Sequence, residues 1–297
     1  MRTQCNSLLP LSIIRMILEN IAIEDVRGAA QLTRISHLVQ HWIDPILYSN
    51  VELLRDETGR AFLRTTKTAK RRLISATVRS LSVCFNPRDD QYVPQILLAC
   101  PAVIDLTIYT VPTQDPLSMV ESYITSWNIQ QLYSALSCVR PRRLQMQLGK
   151  AARLYNPLSI LHKTFFQFTT HLVVTDKWEF WTTWSGYRLL PSLTHIAFDL
   201  ETRAHQSDNS SLIIRSLSEV LEDCAKLMLC IVRILPLGVS REYVKRNLPR
   251  MQDRRLVFLF DTEHFLSGKA TQTAGETSIW EVAEDIICNV DMTSDNR

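Results

Sequence analysis

Two histidines near the amino terminus have a spacing that would suit metal chemistry. His37 and His41 are four residues apart, so on a helix both imidazoles would lie on one face and could ligate the same ion. The sequence places no third ligand beside them, and the His-Glu-x-x-His pattern of zinc proteases is absent. We therefore interpret them as an exposed or core-packed pair and predict no metal site.

Other patterns typical of enzymes are missing from the sequence. The 7 glycines are too scattered for either of the glycine-rich loops that hold phosphates, and no Gly-x-Ser-x-Gly elbow presents a nucleophile. The 7 cysteines are dispersed without a Cys-x-x-Cys pair, which is typical of reduced thiols packed as small apolar side chains. We predict a protein that is not an enzyme, with no catalytic residues and no cofactor. A pocket lined by converging His, Asp or Cys side chains would overturn that prediction.

Basic residues occur in three clusters, although 33 Lys and Arg against 30 Asp and Glu leave a net charge of only +3. The clusters are Arg64, Lys67, Lys70, Arg71 and Arg72; Arg140, Arg142, Arg143, Lys150 and Arg153; and Arg241, Lys245, Arg246, Arg250, Arg254 and Arg255. They lack the interleaved aromatic residues of a nucleic-acid surface, and acidic stretches balance them. We predict no nucleic-acid partner. The clusters indicate solvated helix faces and loops, or, as an alternative, a surface that attracts an acidic client protein.

Composition and hydropathy indicate a globular protein. Apolar residues make up 46% of the 297 and charged residues 21%, enough to bury a sizeable core. Residues 1–10 lack the pattern of a secretory signal, and the longest apolar runs, such as Leu256–Phe260, are far shorter than the ~18 residues of a membrane span. We expect an intracellular protein, cytoplasmic or nuclear, that does not contact a membrane.

Apolar periodicity predicts three short helices at the amino terminus. Ile13, Ile14, Ile17, Leu18 and Ile21 recur at the spacing of one helical face. Pro10 suits the first turn of that helix, and the Asp25 carboxylate could cap a second one. A third helix is predicted to begin near Ser36 and to carry Leu38, Val39 and Trp42 inward. It is predicted to end at Asp44-Pro45, because a residue before proline avoids helical geometry. Helices this short need further support from the rest of the chain or from a partner.

Short β-branched runs then recur about 30 residues apart, the length of one strand and one return segment. The predicted strands are Val78–Val83, Val103–Ile108, Leu144–Leu148, Leu172–Thr175, Thr194–Phe198, Met228–Val232 and Leu256–Phe260. Such units stack into a parallel sheet with helices on one side and an exposed binding face on the other. Aromatic residues crowd one return segment, where core packing is favoured over contact with a client. They are Trp178, Phe180, Trp181, Trp184 and Tyr187.

The amino-terminal pattern resembles an F-box. Leu9–Leu18 reads Leu-Pro, two variable residues, two apolar residues, two variable residues and Ile-Leu, as an F-box opens. Ser36–Val51, with its Trp-Ile-Asp-Pro-Ile-Leu-Tyr core, is similar to the end of the box in a large fungal F-box-like family. Members of that family continue with irregular leucine-rich repeats. Phe258–Asp261 and Trp280–Glu284 stand where such proteins carry a repeat ending in aspartate and a Trp-x-x-Ala-Glu.

The resemblance implies an α/β protein in three parts. Residues 1–53 would form an F-box-like module of three helices, 54–76 a basic helical connector, and 77–297 an irregular leucine-rich-repeat-like solenoid with a parallel sheet. The module would dock on a Skp1-like subunit of a cullin-RING ubiquitin ligase, and the repeats would hold a client protein. The residues expected to contact the ligase are Leu9, Pro10, Ile13, Ile14, Ile17 and Leu18.

A second interpretation keeps the fold and removes the ligase. The helices would then only cap the open end of the solenoid in a repeat-type scaffold for protein interactions. Periodicity alone does not choose between the two, because an apolar stripe can pack within its own chain or against a partner. The exposure of the first helix separates them, since a cap buries the stripe and a docking helix leaves it open.

Overall fold

The computed structural model describes residues 9–85, 92–110, 121–147, 164–176, 178–182, 187–200, 210–234, 253–260 and 278–294. Within these residues, eight strands form one parallel sheet. The order of strands across the sheet is their order in the sequence, and each of the seven pairings is parallel. The strands are β1 (Asn50–Leu53), β2 (Ser80–Phe85), β3 (Asp105–Thr110), β4 (Arg143–Met146), β5 (His171–Val174), β6 (His195–Leu200), β7 (Leu229–Ile234) and β8 (Leu256–Phe260). The chain is therefore a mixed α/β protein.

Successive strands repeat the same packing. The second residue of each strand from β2 to β7 is buried, and together these residues form one row in register: Leu81, Leu106, Leu144, Leu172, Ile196 and Cys230. A second set of buried side chains precedes most of these strands. Each lies three positions before the row residue of its strand, and they are Val78, Val103, Thr169, Leu193 and Leu227. Thr169 fits among apolar residues because its single hydroxyl proton has two backbone acceptors in reach, the carbonyls of Pro141 and Phe165.

Helices cover the face of the sheet to which this row points, here called the first face. They are α4 (Asp56–Thr66), α5 (Arg71–Thr77), α6 (Tyr92–Ala99), α7 (Glu121–Val139), α8 (Trp178–Trp181) and α9 (Ser210–Asp223), with 3-10 turns at Thr164–Phe168 and Tyr187–Leu189. Trp178, Trp181 and Tyr187 are buried in this core, which confirms their predicted packing. The side chain of Phe180 and all of Trp184 lie outside the described residues.

The opposite, second face of the sheet is not open along its whole width, and this corrects one prediction. Helix α10 (Ile279–Ser294) begins with a capping box, in which Ser278 and Glu281 exchange side-chain and backbone hydrogen bonds. It packs on β5–β8, where it buries Val173, Ala197, Leu229, Ile231, Val257 and Leu259. These strands are apolar on both faces, so they require a cover on each side.

The amino-terminal helices form as predicted, with one difference. They are α1 (Leu11–Glu24), α2 (Val26–Leu32) and α3 (His37–Leu47). Asp25 caps α2 through the Arg27 amide, and Ser36 caps α3 through the Val39 amide. Helix α3 does not end at Pro45. The proline lies in the last turn, where it removes a single amide, and the Asp44 carbonyl still accepts from the Tyr48 amide at 3.0 Å.

The predicted strands from β2 onward are confirmed with ends shifted by zero to two residues, and β1 was missed. Its four residues are too few to show alternation, and pairing with β2 fixes their conformation. Several residues named from the sequence lie outside the described part of the chain, so their structure is not described. They are Leu148, Lys150, Arg153, Arg241, Lys245, Arg246, Arg250 and Asp261.

Candidate partner-binding surface

The residues predicted to contact a partner lie on α1 and just before it. Leu9 and Pro10 are exposed, as are Ile13 and Ile17, whose side chains are 36% and 43% accessible. Ile14 and Leu18 are half-buried. The six residues therefore divide into four that are open to solvent and two that are half-buried, of which Leu18 packs against the core formed with α2 and α3.

The exposed side chains of α1 form a continuous apolar stripe. Ile13, Ile17 and Ile21 follow one another at intervals of four, which places them along one side of the helix. Met16 is also exposed and extends the surface around the helix. We call Leu9, Ile13, Met16, Ile17 and Ile21 the α1 apolar surface. Met16 was not among the predicted contact residues, because the F-box pattern leaves its position variable.

Two further exposed apolar residues lie near α3: Ile35 was missed, and the prediction that Leu38 points inward is wrong. Ile35 precedes α3 and is 64% accessible, and Leu38 lies in its first turn and is also exposed. Both fall outside the spacing of Val39, Trp42 and Ile43, which α3 buries. Apolar residues off the buried face of an amphipathic helix are the signal that could have identified them.

A small core on the other side of α1 keeps the stripe outward. Ala22 of α1 packs with Ala29 of α2 and with Trp42 and Ile43 of α3. Arg15 lies over the Trp42 ring, 5.9 Å from its centroid. Since this core uses the alanine side of α1, Ile13 and Ile17 contribute little to the stability of the three helices.

An ion pair attaches these helices to the sheet region. The Lys70 ammonium at the start of α5 lies 3.2 Å from the nearly buried Asp44 carboxylate of α3 and 5.2 Å from the centre of the Tyr48 ring. Burial opposes the charge of Lys70, but its hydrogen bond to Asp44 and the proximity of Tyr48 raise its pKa above the ordinary value. The helical unit that carries the α1 apolar surface is thus joined to the sheet region through the Asp44–Lys70 ion pair.

The histidine pair and the cysteines considered in the sequence analysis form no metal site or activated nucleophile in the described residues. His37 and His41 are both exposed, and no three metal-ligating side chains cluster in the described part of the chain. Burial raises the pKa of the Cys100 thiol to about 12, and burial together with Asp223 does the same for Cys224. These two thiols stay protonated at neutral pH, so they are poor nucleophiles.

A polar row on the second face was not found from the sequence. Asp105, Arg143, His171 and His195 stand in register at the first positions of β3 to β6. The Arg143 guanidinium forms a bidentate ion pair with Asp105, and the two imidazole rings stack 4.1 Å apart. These residues are 24 to 38 positions apart along the chain, and only the strand register brings them together.

Helix α10 closes over the histidine end of this row. The Trp280 ring packs edge-on against both imidazoles at 5.2 and 5.6 Å, and His195 Nε2 lies 3.2 Å from the Glu284 carboxylate. Burial, the adjacent His195 and Arg143 lower the pKa of His171 to about 4. A neutral His171 beneath an indole ring is suited to holding the helix, and it is poorly placed to receive a proton from a substrate.

No protein-family model, curated protein or solved structure matches this chain. The class that the fold defines is an α/β protein with a parallel sheet in chain order, preceded by a helical unit with an exposed apolar stripe. Among the described residues, no helix is both long enough and apolar enough to cross a membrane. The functional argument therefore rests on the geometry of the α1 apolar surface.

Proposed function

We propose that the protein is a non-catalytic adaptor of a Skp1-cullin-F-box ubiquitin ligase. Its F-box-like helices dock on a Skp1-like subunit of the cullin-RING complex, and the rest of the chain holds a client protein. The docking residues are Leu9, Pro10, Ile13, Ile14, Ile17 and Leu18, joined by Met16 and Ile21. The protein works inside the cell, in the cytoplasm or the nucleus.

The observation that supports this proposal most is the exposure of Ile13 and Ile17. A helix that served its own chain alone would turn these side chains inward, because burying the remaining surface of each isoleucine stabilises by about 1 kcal/mol. The α1 core instead uses Ala22, and the isoleucines stay open. A contiguous apolar stripe left in solvent is typical of a helix that enters the groove of a partner.

The client-binding part is proposed to be an irregular leucine-rich-repeat-like solenoid. Chain-order parallel strands support this reading, as does the buried row that recurs from Leu81 to Cys230. In such architectures each unit contacts mainly its neighbours in sequence, which is the arrangement of strand pairs here. The variable connections between strands then supply the surfaces that recognise a client.

The alternative function is a repeat-type interaction scaffold without ligase linkage, in which the helices cap the sheet. The Asp44–Lys70 ion pair favours part of it, because α3 lies against the start of the sheet region. Capping through α3 does not require α1 to expose isoleucines. The two functions therefore differ in what the α1 apolar surface binds, and that difference can be measured.

A binding experiment with a purified Skp1-like subunit tests the proposal. The wild-type chain is expected to bind with one-to-one stoichiometry by calorimetry, and the Ile13→Asp, Ile17→Asp double variant to lose at least about a hundredfold in affinity, since two carboxylates would enter an apolar groove. Circular dichroism confirms that the variant is folded, which its exposed positions favour.

The matched control is the Leu212→Asp, Met228→Asp double variant, which adds the same two charges at exposed apolar positions near α9 and β7. It should bind the Skp1-like subunit as the wild type does. Undiminished binding by the folded Ile13→Asp, Ile17→Asp variant, or absence of binding by the wild type, would reject the adaptor in favour of the scaffold.

A further inference from the structure

Four arginines gather at the amino-terminal edge of the central strands. Arg79 directly precedes β2, Arg140 and Arg142 precede β4, and Arg143 is the first residue of β4. All four side chains are exposed. We call them the arginine edge.

Backbone pairing fixes the spacing of this edge. The Ile104 amide donates to the Arg79 carbonyl at 2.8 Å, and the Arg142 amide donates to the Ile104 carbonyl at 2.9 Å. Arg79, Ile104 and Arg142 are therefore neighbours across three strands, and the two arginines stand about 10 Å apart at the usual strand spacing. Ile104, between them, is 37% accessible.

Within the described residues, carboxylates compensate only part of the charge along the edge. There Asp105 pairs with Arg143, and neither Arg79 nor Arg142 lies at ion-pair distance from a carboxylate. Arg79 Nη1 donates instead to the Ala102 carbonyl at 3.2 Å. Arg140 lies 5.0 Å from the centre of the Phe168 ring, itself 42% accessible. The edge thus combines guanidinium groups with two exposed apolar side chains.

Arg140 also holds an uncommon backbone conformation. Its φ is 54°, in the left-handed region where glycine or asparagine is favoured, and it turns the chain from α7 toward Pro141 and β4. A strained arginine at such a turn is consistent with a role for its side chain beyond shaping the turn.

We propose that the arginine edge binds an acidic segment of a partner protein, with an apolar side chain among its carboxylates. Arg79 and Arg142 would form charge-assisted hydrogen bonds with the carboxylates, while Ile104 and Phe168 would contact the apolar residue. A protein fits better than a nucleic acid, because Arg79 and Arg142 are only about 10 Å apart, whereas affinity for nucleic acid grows with the number of phosphates that are neutralised along an extended backbone. This inference rests on the proposed adaptor function in one respect: it identifies the acidic segment as the part of the client that the protein binds.

Fluorescence polarisation on the full chain tests the inference. The probe is a fluorescein-labelled peptide of aspartates and glutamates around one leucine, with an asparagine and glutamine version as its uncharged counterpart. The acidic peptide should bind more weakly as sodium chloride increases, and the Arg79→Gln, Arg142→Gln variant should reduce its affinity about tenfold. The Arg27→Gln, Arg34→Gln variant removes the same charge from exposed positions in the amino-terminal helical unit and should bind within about twofold of wild type.

Each result separates this inference from the ligase role. The Ile13→Asp, Ile17→Asp variant should bind the acidic peptide normally. If the wild-type chain bound the acidic peptide but not the Skp1-like subunit, the adaptor would be rejected and the arginine edge would remain as an acidic-peptide site. Equal binding of the uncharged peptide, no binding of the acidic one, or equal losses in both arginine variants would overturn the inference. Tighter binding of a labelled oligouridylate with the same arginine dependence would overturn it in favour of nucleic acid.

Discussion

Lys70 Nζ lies 3.2 Å from Oδ2 of Asp44, so that one ion pair joins α5 to α3. The Asp44 side chain is only 12% accessible, and the Lys70 ammonium also lies over the Tyr48 ring. The carboxylate has lost most of its hydration, and it depends on the lysine for compensation. The pair therefore fixes the amino-terminal helices against the elements that support β2.

Replacing Lys70 with Met should destabilise the protein by about 1–3 kcal/mol, because a nearly buried carboxylate loses its partner. Urea denaturation measures this change in the free energy of unfolding. Lys67→Met, at an exposed lysine on the same connection, should change it by less than about 0.5 kcal/mol. If the Asp44→Asn, Lys70→Met double variant were less stable than Lys70→Met alone, the ion pair would not be the source of the effect.

Gly59 of α4 lies where a side chain would meet α6. A Cβ at this position would stand 2.5 Å from Cε2 of Tyr92, a ring packed in the core. Gly59→Ala should therefore destabilise by about 1–3 kcal/mol, even though alanine is favoured over glycine in a helix by about 1 kcal/mol. Thermal denaturation gives the comparison with wild type.

Gly28→Ala provides the contrast. Its Cβ would also come within 2.5 Å of a neighbour, but that neighbour is the Asp25 carboxylate, which can rotate away. Losing this cap costs about 1 kcal/mol, roughly what alanine gains in α2, so the change in stability should be near zero. Equal destabilisation by Gly28→Ala and Gly59→Ala would contradict the packing argument.

Stability should depend on pH through His171. Burial and the nearby His195 and Arg143 lower its pKa from 6.5 to about 4, so the unfolded chain binds the proton more readily than the folded one. The stability linked to neutral His171 is complete above pH 6.5 and is lost as pH falls toward 4. The loss is at most about 3 kcal/mol.

His171→Phe isolates this contribution, since phenylalanine keeps a ring beside His195 and does not titrate. Urea denaturation of both proteins between pH 7 and pH 4 should show the wild type losing stability more steeply than the variant. Parallel curves over this range would show that His171 is protonated equally in the folded and unfolded states.

Trp280 should control the docking of α10. Trp280→Ala removes the edge contacts with His171 and His195 and should lower the free energy of unfolding by about 2–4 kcal/mol. The loss is smaller than for a fully buried tryptophan, because Trp280 is only partly buried. Hydrogen exchange should accelerate in α10, while α1 to α3 remain unchanged. Asp285→Ala, at an exposed position of the same helix, should leave the exchange of α10 unaltered. Protection of α10 in the Trp280→Ala variant would contradict this role.

The sequence predicted most strands and the first three helices because their signals are local. Alternation identified β2, the Asp25 cap marked α2, and the start predicted near Ser36 agrees with the observed start of α3. The polar row from Asp105 to His195 escaped prediction, because it exists only through the register of four strands. The packing of α10 on the second face was not predicted either, because the apolar stripe of a helix does not indicate which face of a sheet it covers.

The candidate docking surface was predicted in part. Periodicity and the F-box resemblance identified Ile13 and Ile17, but the same pattern fits a buried helix. Their exposure was established only by the structure, which shows that the core of the three helices packs around Ala22 and Trp42. Ile35 lies outside any repeat and became visible only when its solvent exposure was known.

Strand pairing in chain order also affects how the protein can be made. As the polypeptide leaves the ribosome, each new strand finds its hydrogen-bonding neighbour already synthesised, so the sheet can grow from β1 without waiting for distant sequence. Helix α10 is the exception, because it seals β5–β8 only after all four have emerged. Nascent chains that have passed β8 but lack α10 expose Ile231 and Leu259, and at that stage they most need a chaperone.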